Sequence, residues 1–530
     1  MKLRKIYTSA GILLLSLFCI GDAVAKDAKF ETGVSFGSTG ADEPYSSLTD
    51  KDGNYYISGM CRGDVEFAGG ATIKGRGGMD AVIVKYDAEL NFLWARAVGG
   101  SKDDTFERIA VTSAGDIVAV GKISGDITID GTDQTLSGTQ STDGCIVVYD
   151  KDGNYKSSAQ IKAAGASLCY SVAVDKSDNI FVTGSTVGAT DFGNEKTVTI
   201  EGSNPGTFLA CYNNSLVCQW AIAGSSPVQS YGWAVNFDKE ENILLTGRFG
   251  TTFTITGTDG EALTTAVGSE SSQDTYVAKL SHEGVGQWIT YVTNSNRIDT
   301  RSIDSDSQGN VYIWGHCQSA VTPEGQSPLG FNGNFDSFLI KYSSAGAYLD
   351  GMNLGGSGRD EAKSLFVDAD DNIYVAGNVN GDGSKGGTAV NMNPRGESKD
   401  YTFKGHDGYV AKYNGSTWEL MQLEKTVTPD NANQHEVAWC VTMSPDYNKV
   451  YVTGYFNNGA TVFDGASLTL PFVQDYDIYT VLYSYTLMVK TKTLEPGVAN
   501  EPYYSNIVVD NVEGAVKFEI VSGTLPDGIS

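Results

Sequence analysis

Five side chains suited to ligand binding recur at one spacing along the chain. Each lies fourteen residues before a glycine that ends a short apolar segment, as Tyr45 does before Gly59. The five residues are Tyr45, Tyr170, Trp233, Arg301 and Lys363. Aromatic rings stack on flat ligand surfaces, and hydroxyl, guanidinium and ammonium groups donate hydrogen bonds to ligand oxygens. These types suit a glycan or peptide site, and the alternative is that they pack against neighbouring elements.

The sequence offers no comparable pattern for catalysis or tight metal binding. The four histidines are His282, His316, His406 and His435. They lack the Cys, His or carboxylate neighbours that metal-ligand spacing requires, so we expect them on the surface or in loops. No Gly-x-Ser-x-Gly segment marks a nucleophile. We therefore predict no catalytic residues, no metal site and no cofactor.

Weak calcium binding is the one cofactor alternative that the sequence leaves open. Aspartate-rich segments at 50–54, 150–154 and 368–372 resemble short calcium loops. Calcium loops present more oxygen ligands at alternating positions, together with a bidentate carboxylate. Asp-Gly and Asp-Asn pairs also favour tight turns without any ion. We expect turns at these segments.

The elements that position the five side chains belong to an internal repeat. An Asp/Gly/Asn turn followed by an apolar strand ending in glycine occurs seven times, with 62 to 77 residues between successive glycines. These glycines are Gly59, Gly121, Gly184, Gly247, Gly315, Gly377 and Gly454. We call these segments the glycine strands. Self-similarity of this kind is the signature of a repeat architecture.

Each repeat holds three further strands. An inner strand precedes the turn, as at 172–175, and an aspartate strand follows the glycine strand, as in the DAVIVKY segment at 80–86. An outer strand often carries tryptophan, as at Trp94. Four short strands per period predict one propeller blade, so the fold is predicted to be all-β, a seven-bladed β-propeller. An open solenoid usually has shorter rungs, and separate sandwiches of this size would be marginally stable.

The two chain ends are predicted to close the ring. Glycine-rich linkers at 99–104 and 355–361 resemble the segment at 37–43, which precedes the first repeat. The strand at about 30–36 would then be an outer strand without a repeat of its own. We expect it to complete blade seven beside residues 477–483, which removes the open sheet edges. The predicted propeller spans residues 26–490.

These residues resemble the bacterial SBBP family, named for a seven-bladed β-propeller repeat. The resemblance rests on the motifs Asp80-Ala81-Val82-Ile83-Val84-Lys85, Trp94 and Gly99-Gly100-Ser101. The resemblance covers roughly residues 30 to 490, although the third copy lacks the opening Asp and the second and seventh lack the Lys. It implies a propeller fold and an extracytoplasmic setting. It implies no catalytic residues.

The C-terminal segment, 494–530, resembles the first half of a bacterial Ig-like (cadherin-like) module. The resemblance rests on 496–503 and on the Gly523-Thr524-Leu525-Pro526-Asp527-Gly528 motif. Half a β-sandwich leaves apolar strands unpaired. We therefore expect a truncated sandwich here, with the natural protein continuing into further modules.

The N-terminus predicts export. Lys2, Arg4 and Lys5 precede an apolar stretch at 11–20, and Ala23-Val24-Ala25 is a small-residue cleavage site. This pattern predicts a signal peptide at 1–25, and Cys19 raises the alternative of a lipid-modified N-terminus. No later segment is apolar enough to span a membrane, so we expect no membrane insertion of the mature chain.

The net charge limits the expected partners, and the cysteine count limits the possible disulfides. The formal net charge of −27 disfavours nucleic acid and anionic membranes as partners. Removal of Cys19 leaves seven cysteines, an odd number. Cys211 and Cys218 flank a short turn, so a disulfide between them is predicted for an oxidising compartment, with buried thiols as the alternative for the rest.

Three functions remain open. The first is an exported binding or adhesion scaffold, extracellular, on the cell surface or periplasmic, that presents a propeller face to a glycan or protein ligand. The second is a polysaccharide lyase or hydrolase, and the third is a structural spacer, because propellers host several functions. We expect a monomer, with long insertions at 378–406 and 455–476 on the binding face.

Overall fold

The computed structural model describes residues 28–485 except 267–272, 381–387, 398–399, 404, 428–434, 458–460, 464–465 and 469. Beyond that range it describes the backbone of short strands at 2–5, 16–19, 24–25, 488–489, 503–506, 509–510, 512–513 and 518–522. By contacts the chain divides into a large unit, 32–447 with 451–482, and a small unit containing both chain ends and 448–450. The description below concerns the large unit.

The structure is all-β. The described residues contain no α-helix and one short 3-10 turn, Ala68–Gly70. Antiparallel strands follow each other in the order inner, glycine, aspartate and outer strand, and this order occurs in each repeat. The predicted all-β class is thereby confirmed.

The strands of repeats 1 to 3 have the following bounds. Repeat 1 contains Glu43–Thr49, Tyr55–Cys61, Asp80–Tyr86 and Phe92–Gly100, with the short pair Val65–Glu66 and Thr72–Ile73. Repeat 2 contains Thr105–Val111, Ile117–Ile129, Thr135–Tyr149 and Tyr155–Ala163. Repeat 3 contains Ser167–Val174, Ile180–Thr186, Gly206–Tyr212 and Cys218–Ser225, with Gly188–Asp191 and Thr197–Ile200.

The later repeats follow the same order. Repeat 4 contains Ser230–Phe237, Ile243–Phe249, Asp274–Leu280 and Gly286–Thr293, with Thr252–Thr256 and Ala262–Ala266. Repeat 5 contains Ile298–Ser305, Val311–Cys317, Asp336–Tyr342 and Tyr348–Leu354, with Thr322–Pro323. Repeat 6 contains Glu361–Val367, Ile373–Asn380, His406–Tyr413 and Leu420–Val427, with Thr388–Asn391 and Asp400–Phe403. Repeat 7 contains Glu436–Met443, Lys449–Phe456 and Asp477–Ser484, with Thr461–Phe463 and Ala466–Leu468.

The outer edge of repeat 7 is covered by the strand Lys29–Phe36, which pairs with Asp477–Ser484. Within the large unit, the Tyr55 ring of repeat 1 stacks on Tyr451 of repeat 7 at 4.5 Å between centroids. Phe36 packs in the same buried cluster as Tyr55, Tyr451 and Ile478. The first and last repeats therefore share a hydrophobic core.

Tryptophan and lysine side chains join neighbouring repeats. Lys85 Nζ and Trp94 Nε1 of repeat 1 both donate to the backbone oxygen of Lys151 in repeat 2, at 2.7 and 3.1 Å. Lys279 and Trp288 of repeat 4 do the same to Ser344 of repeat 5. The lysine and tryptophan of the repeat pattern thus stabilise the contact between adjacent sheets.

The seven glycines are required by a close backbone approach. A Cβ on any of them would meet a backbone oxygen of the inner strand at 2.5 Å or less. At Gly59 the three nearest atoms are all backbone atoms of Glu43 and Pro44. Backbone atoms of paired strands shift less readily than a flexible side chain, so a larger residue forces the two strands apart.

The expected disulfide between Cys211 and Cys218 is not formed. All seven cysteines at 61 and beyond are buried free thiols. In the hairpin Cys218 lies opposite Tyr212, whereas Cys211 lies opposite Trp220. Cys211 therefore packs with Phe181 on one side of the sheet, and Cys218 packs with Phe192 on the other.

Several expectations fall largely on residues that the structure does not describe. These are the signal peptide at 1–25, including the Cys19 side chain, and the Ig-like module at 494–530, where only the backbone of the short strands given above is described. The search for helices long and apolar enough to cross a membrane found none among the described residues.

The glycine requirement predicts a stability effect. Gly59→Ala should lower the free energy of unfolding by about 1–3 kcal/mol, because the added methyl group overlaps the inner-strand backbone. Gly330→Ala is the matched control, since a Cβ there meets nothing within 4 Å. Urea unfolding followed by tryptophan fluorescence measures both. Equal midpoints for the two variants would contradict the steric explanation.

Candidate functional site

The inner strands share a β-bulge. In repeats 1 to 6 the pairing of inner and glycine strands skips one inner-strand residue, directly after the residue opposite the glycine. The six skipped residues are Tyr45, Glu107, Tyr170, Trp233, Arg301 and Lys363. A bulge turns the extra side chain away from the regular alternation of a strand.

Repeat 7 supplies the corresponding residue, Trp439. The backbone oxygen of Val437 faces Gly454 as that of Glu43 faces Gly59, so Trp439 takes the place that Tyr45 has in repeat 1. Trp439 lies fifteen residues before its glycine. The extra position arises because the turn at 444–449 is one residue longer than the turn at 112–116 of repeat 2.

The seven bulge residues meet at one cavity of about 80 Å³. All five side chains predicted from the fourteen-residue spacing lie in its lining, together with Glu107 and Trp439. Each of the seven is half-buried. This volume is below the range typical of sites for drug-sized ligands. Whether the five residues bind a ligand stays a prediction.

Two of the seven bulge residues, Glu107 and Trp439, are not among those predicted from the sequence. Glu107 lies at the same fourteen-residue spacing, before Gly121, and a complete search at that spacing finds it. The same rule in repeat 7 leads to Cys440, which is buried and also lines the cavity, next to Trp439. The fourteen-residue spacing therefore selects Cys440, and only the register of the bulge shows that Trp439 is the equivalent residue.

Aromatic contacts form part of the cavity wall. The Tyr170 and Trp233 rings lie 4.4 Å apart between centroids, and Trp233 stacks on Tyr231 at 5.6 Å. Tyr45 and Trp439 lie 5.5 Å apart on another part of the wall. The rings therefore contact each other across repeats and still expose part of their surface to the cavity.

Charged groups occupy the rest of the lining. Lys363 Nζ lies 2.8 Å from Glu361 Oε2 and 4.1 Å from the centroid of the Trp439 ring. Burial lowers the pKa of Lys363, and the Glu361 carboxylate partly offsets that effect. Burial raises the pKa of Glu107, whose Oε1 accepts a hydrogen bond of 2.7 Å from Thr105.

A second cavity, of about 300 Å³, is lined by the inner strands of all seven repeats. The two cavities share Ser46, Ser47, Arg108 and Ser364 in their linings. Arg108 Nη2 of repeat 2 donates to the backbone oxygen of Arg301 in repeat 5, at 3.4 Å. Arg108 therefore lies at the boundary between the two cavities.

The aspartate-rich turns use their carboxylates internally. Asp306 Oδ1 accepts hydrogen bonds from the backbone of Gln308 and Asn310, and Oδ2 accepts one from the Asn310 amide and pairs with Lys341 at 3.1 Å. The same turn bonding occurs at Asp50, Asp150, Asp175, Asp238 and Asp368. No group of three or more metal-ligating side chains that could hold an ion occurs in the described part of the chain. Calcium binding stays an untested alternative.

The histidines differ from the surface positions that the sequence favours. His316 lies in a glycine strand and is 3% exposed, with Nε2 3.6 Å from the buried Asp299 carboxylate. His406 and His435 come together, with ring centroids 3.9 Å apart. An isolated backbone bridge between these two residues, one from repeat 6 and one at the start of repeat 7, produces this contact, which sequence spacing does not reveal.

Glu436 begins the inner strand of repeat 7 and is fully buried. Neither carboxyl oxygen accepts a hydrogen bond from the residues that the structure describes. In repeat 2 the equivalent Asp104 accepts two backbone hydrogen bonds, from Gly100 and Ser124. Burial, with a smaller contribution from the charge of Asp407, raises the pKa of Glu436 to about 9.

This pKa predicts a pH dependence. The folded protein binds a proton at Glu436 that the unfolded chain releases above pH ~4.3, so stability should fall as pH rises from ~5 to ~9. Glu436→Gln should flatten this dependence, whereas Glu419→Gln, at an exposed carboxylate, should leave it unchanged. Urea midpoints across this pH range provide the measurement. If Glu436→Gln kept the wild-type slope, the carboxyl would be ionised in the folded protein.

Comparison with known proteins gives the class of repeat. A family model described as "Beta-propeller repeat" (SBBP) matches residues 158–193. The chain is 21% identical over 435 residues to "Uncharacterized WD repeat-containing protein L264" of Acanthamoeba polyphaga mimivirus, a match that covers 67% of this chain and 31% of that protein. The chain thus spans about a third of the length of this relative. The chain is an all-β protein with a β-propeller repeat.

Solved structures are similar over most of the chain. The "Dos1 propeller" matches at a TM-score of 0.37 and 9% identity, covering 86% of this chain and 95% of that one. The periplasmic gluconolactonase PpgL of Pseudomonas aeruginosa matches at a TM-score of 0.36 and 10% identity. That match covers 79% of this chain and 98% of the gluconolactonase chain.

Proposed function

We propose that the seven repeats form one closed, seven-bladed β-propeller, with Lys29–Phe36 as the outer strand of blade seven. The pairing of this strand with Asp477–Ser484 supports the proposal, as does the hydrophobic core that repeats 1 and 7 share. A cavity lined by the inner strands of every repeat is expected along the axis of such a ring.

We further propose that the chain is an exported binding scaffold, extracellular, on the cell surface or periplasmic, whose ligand is a glycan or a protein. The main support for this proposal is that one side chain from each repeat reaches the same cavity from a bulge. Convergence of inner-strand residues follows from a closed ring, so the argument for binding rests on the chemistry of the residues at this position. Here the position varies between aromatic, cationic and acidic residues while the glycine opposite stays the same.

Binding is favoured over glycan hydrolysis by the carboxyl groups of the cavity. Most glycoside hydrolases use two carboxyl groups that flank the scissile bond. Glu107 is the one carboxylate among the residues lining the cavity, and Lys363 is already paired with Glu361. The lyase alternative would have to use Lys363 or Arg301 near a tyrosine such as Tyr45.

A screen of the full chain on glycan and peptide arrays tests this proposal. Binding to one ligand class should be lost, by about tenfold or more, in Trp233→Ala, because the variant removes an aromatic face that contacts the ligand. Tyr447→Ala is the control, since Tyr447 is an exposed ring outside the cavity.

Turnover assays on the bound ligand separate the candidates. The scaffold proposal expects binding without product formation. Product formation that Lys363→Ala or Arg301→Ala abolishes would instead establish the lyase or hydrolase alternative. Absence of any ligand on both arrays would favour the structural spacer.

A further inference from the structure

Three hydrogen-bond donors of the cavity are unpaired. Arg108 Nε, Trp233 Nε1 and Arg301 Nε are buried and have no hydrogen-bond partner among the described residues. All three residues line the 80 Å³ cavity. Buried donors are usually satisfied, because an unpaired one loses its hydrogen bond to water without replacement. The described residues therefore leave these three donors without an acceptor.

The same wall carries three cationic side chains, Arg108, Arg301 and Lys363. Arg108 reaches the backbone oxygen of Arg301, which brings the two arginine residues together from opposite repeats. The Arg301 guanidinium lies over the Trp233 ring at 5.4 Å. The carboxylates of Glu361 and Glu43 offset the charge of Lys363. Glu107 and the buried Asp299 partly offset the charge of the arginines. Burial, and the charge of Arg301 to a smaller extent, lower the pKa of Arg108.

We propose that Arg108, Arg301 and the indole N–H of Trp233 bind the carboxylate of an acidic glycan, one that contains uronic acid residues. A carboxylate supplies two coplanar acceptor oxygens, which match the paired donors of a guanidinium group. This inference rests on the proposed binding function and specifies the ligand of the same cavity.

The aromatic wall favours a glycan over an acidic peptide. Tyr170, Trp233 and Trp439 leave part of their rings exposed to the cavity, and a pyranose ring offers a flat apolar face to such rings. The carboxylate of a uronic acid is attached directly to that ring. A single sugar can therefore contact the arginines and the aromatic wall together, whereas a peptide carboxylate is separated from any flat surface by its chain.

The net charge of the protein gives this site a distinct salt dependence. At −27 the whole chain repels polyanions at long range, and salt screens that repulsion. The half-buried arginines are screened less. Binding at the cavity should therefore persist or strengthen between ~20 and ~150 mM salt, whereas adsorption to surface lysines should weaken.

Calorimetric titration of the full chain tests the proposal. A galacturonic acid trimer should bind about tenfold or more tightly than a galactose trimer of the same linkage. Arg301→Gln and Arg108→Gln should remove this preference. Arg395→Gln, an exposed arginine paired with Asp350, should preserve it. Trp233→Phe keeps an aromatic ring, although a smaller one, and removes the N–H. It should weaken the acidic trimer selectively even if an arginine variant fails to fold.

The possible outcomes of the titrations contradict different parts of the proposal. Equal binding of both trimers, lost in Trp233→Ala, would overturn the anionic site and leave the binding function standing. Binding of an acidic peptide but neither trimer would overturn the glycan. No binding of any probe would contradict the anionic site and the proposed binding function together.

Discussion

A steric constraint between two backbones underlies the whole molecule. The bulged inner strand brings a carbonyl oxygen so close to the glycine strand that a Cβ has no room. The bulge can therefore form only where the facing residue is glycine. The bulge in turn lets one side chain leave the sheet and enter the cavity. Because the pair occurs in all seven repeats, seven side chains converge.

The other recurring residues build the scaffold. The turn aspartates accept hydrogen bonds from their own turns, and lysines of the aspartate strands pair with them, as Lys279 does with Asp238 at 2.6 Å. The tryptophans bond to the turn of the next repeat. Once these roles are accounted for, the bulge position is the one place where the repeats differ strongly in chemistry, and this separates function from fold.

Much of this organisation was predictable from the sequence. The glycine strands follow from turn chemistry and apolar runs, and the fourteen-residue spacing located five of the seven bulge residues. Trp439 was missed because one extra turn residue shifts the spacing, and Arg108 because its role depends on reaching across to Arg301. The expected Cys211–Cys218 pair does not form because hairpin register decides which side of a sheet a residue faces. Such features depend on tertiary geometry.

A double-mutant cycle on Gly121 and Glu107 tests the central constraint most directly. Deleting Glu107 leaves Phe106 and Arg108 in sequence opposite Gly121 and Val120, so the inner strand becomes regular. Gly121→Ala should then lower the free energy of unfolding strongly in the wild-type chain and much less in the deletion background. The coupling free energy measured by urea unfolding should be about 1–3 kcal/mol. The same cost of Gly121→Ala in both backgrounds would show that the glycine does not serve the bulge, and would contradict the account.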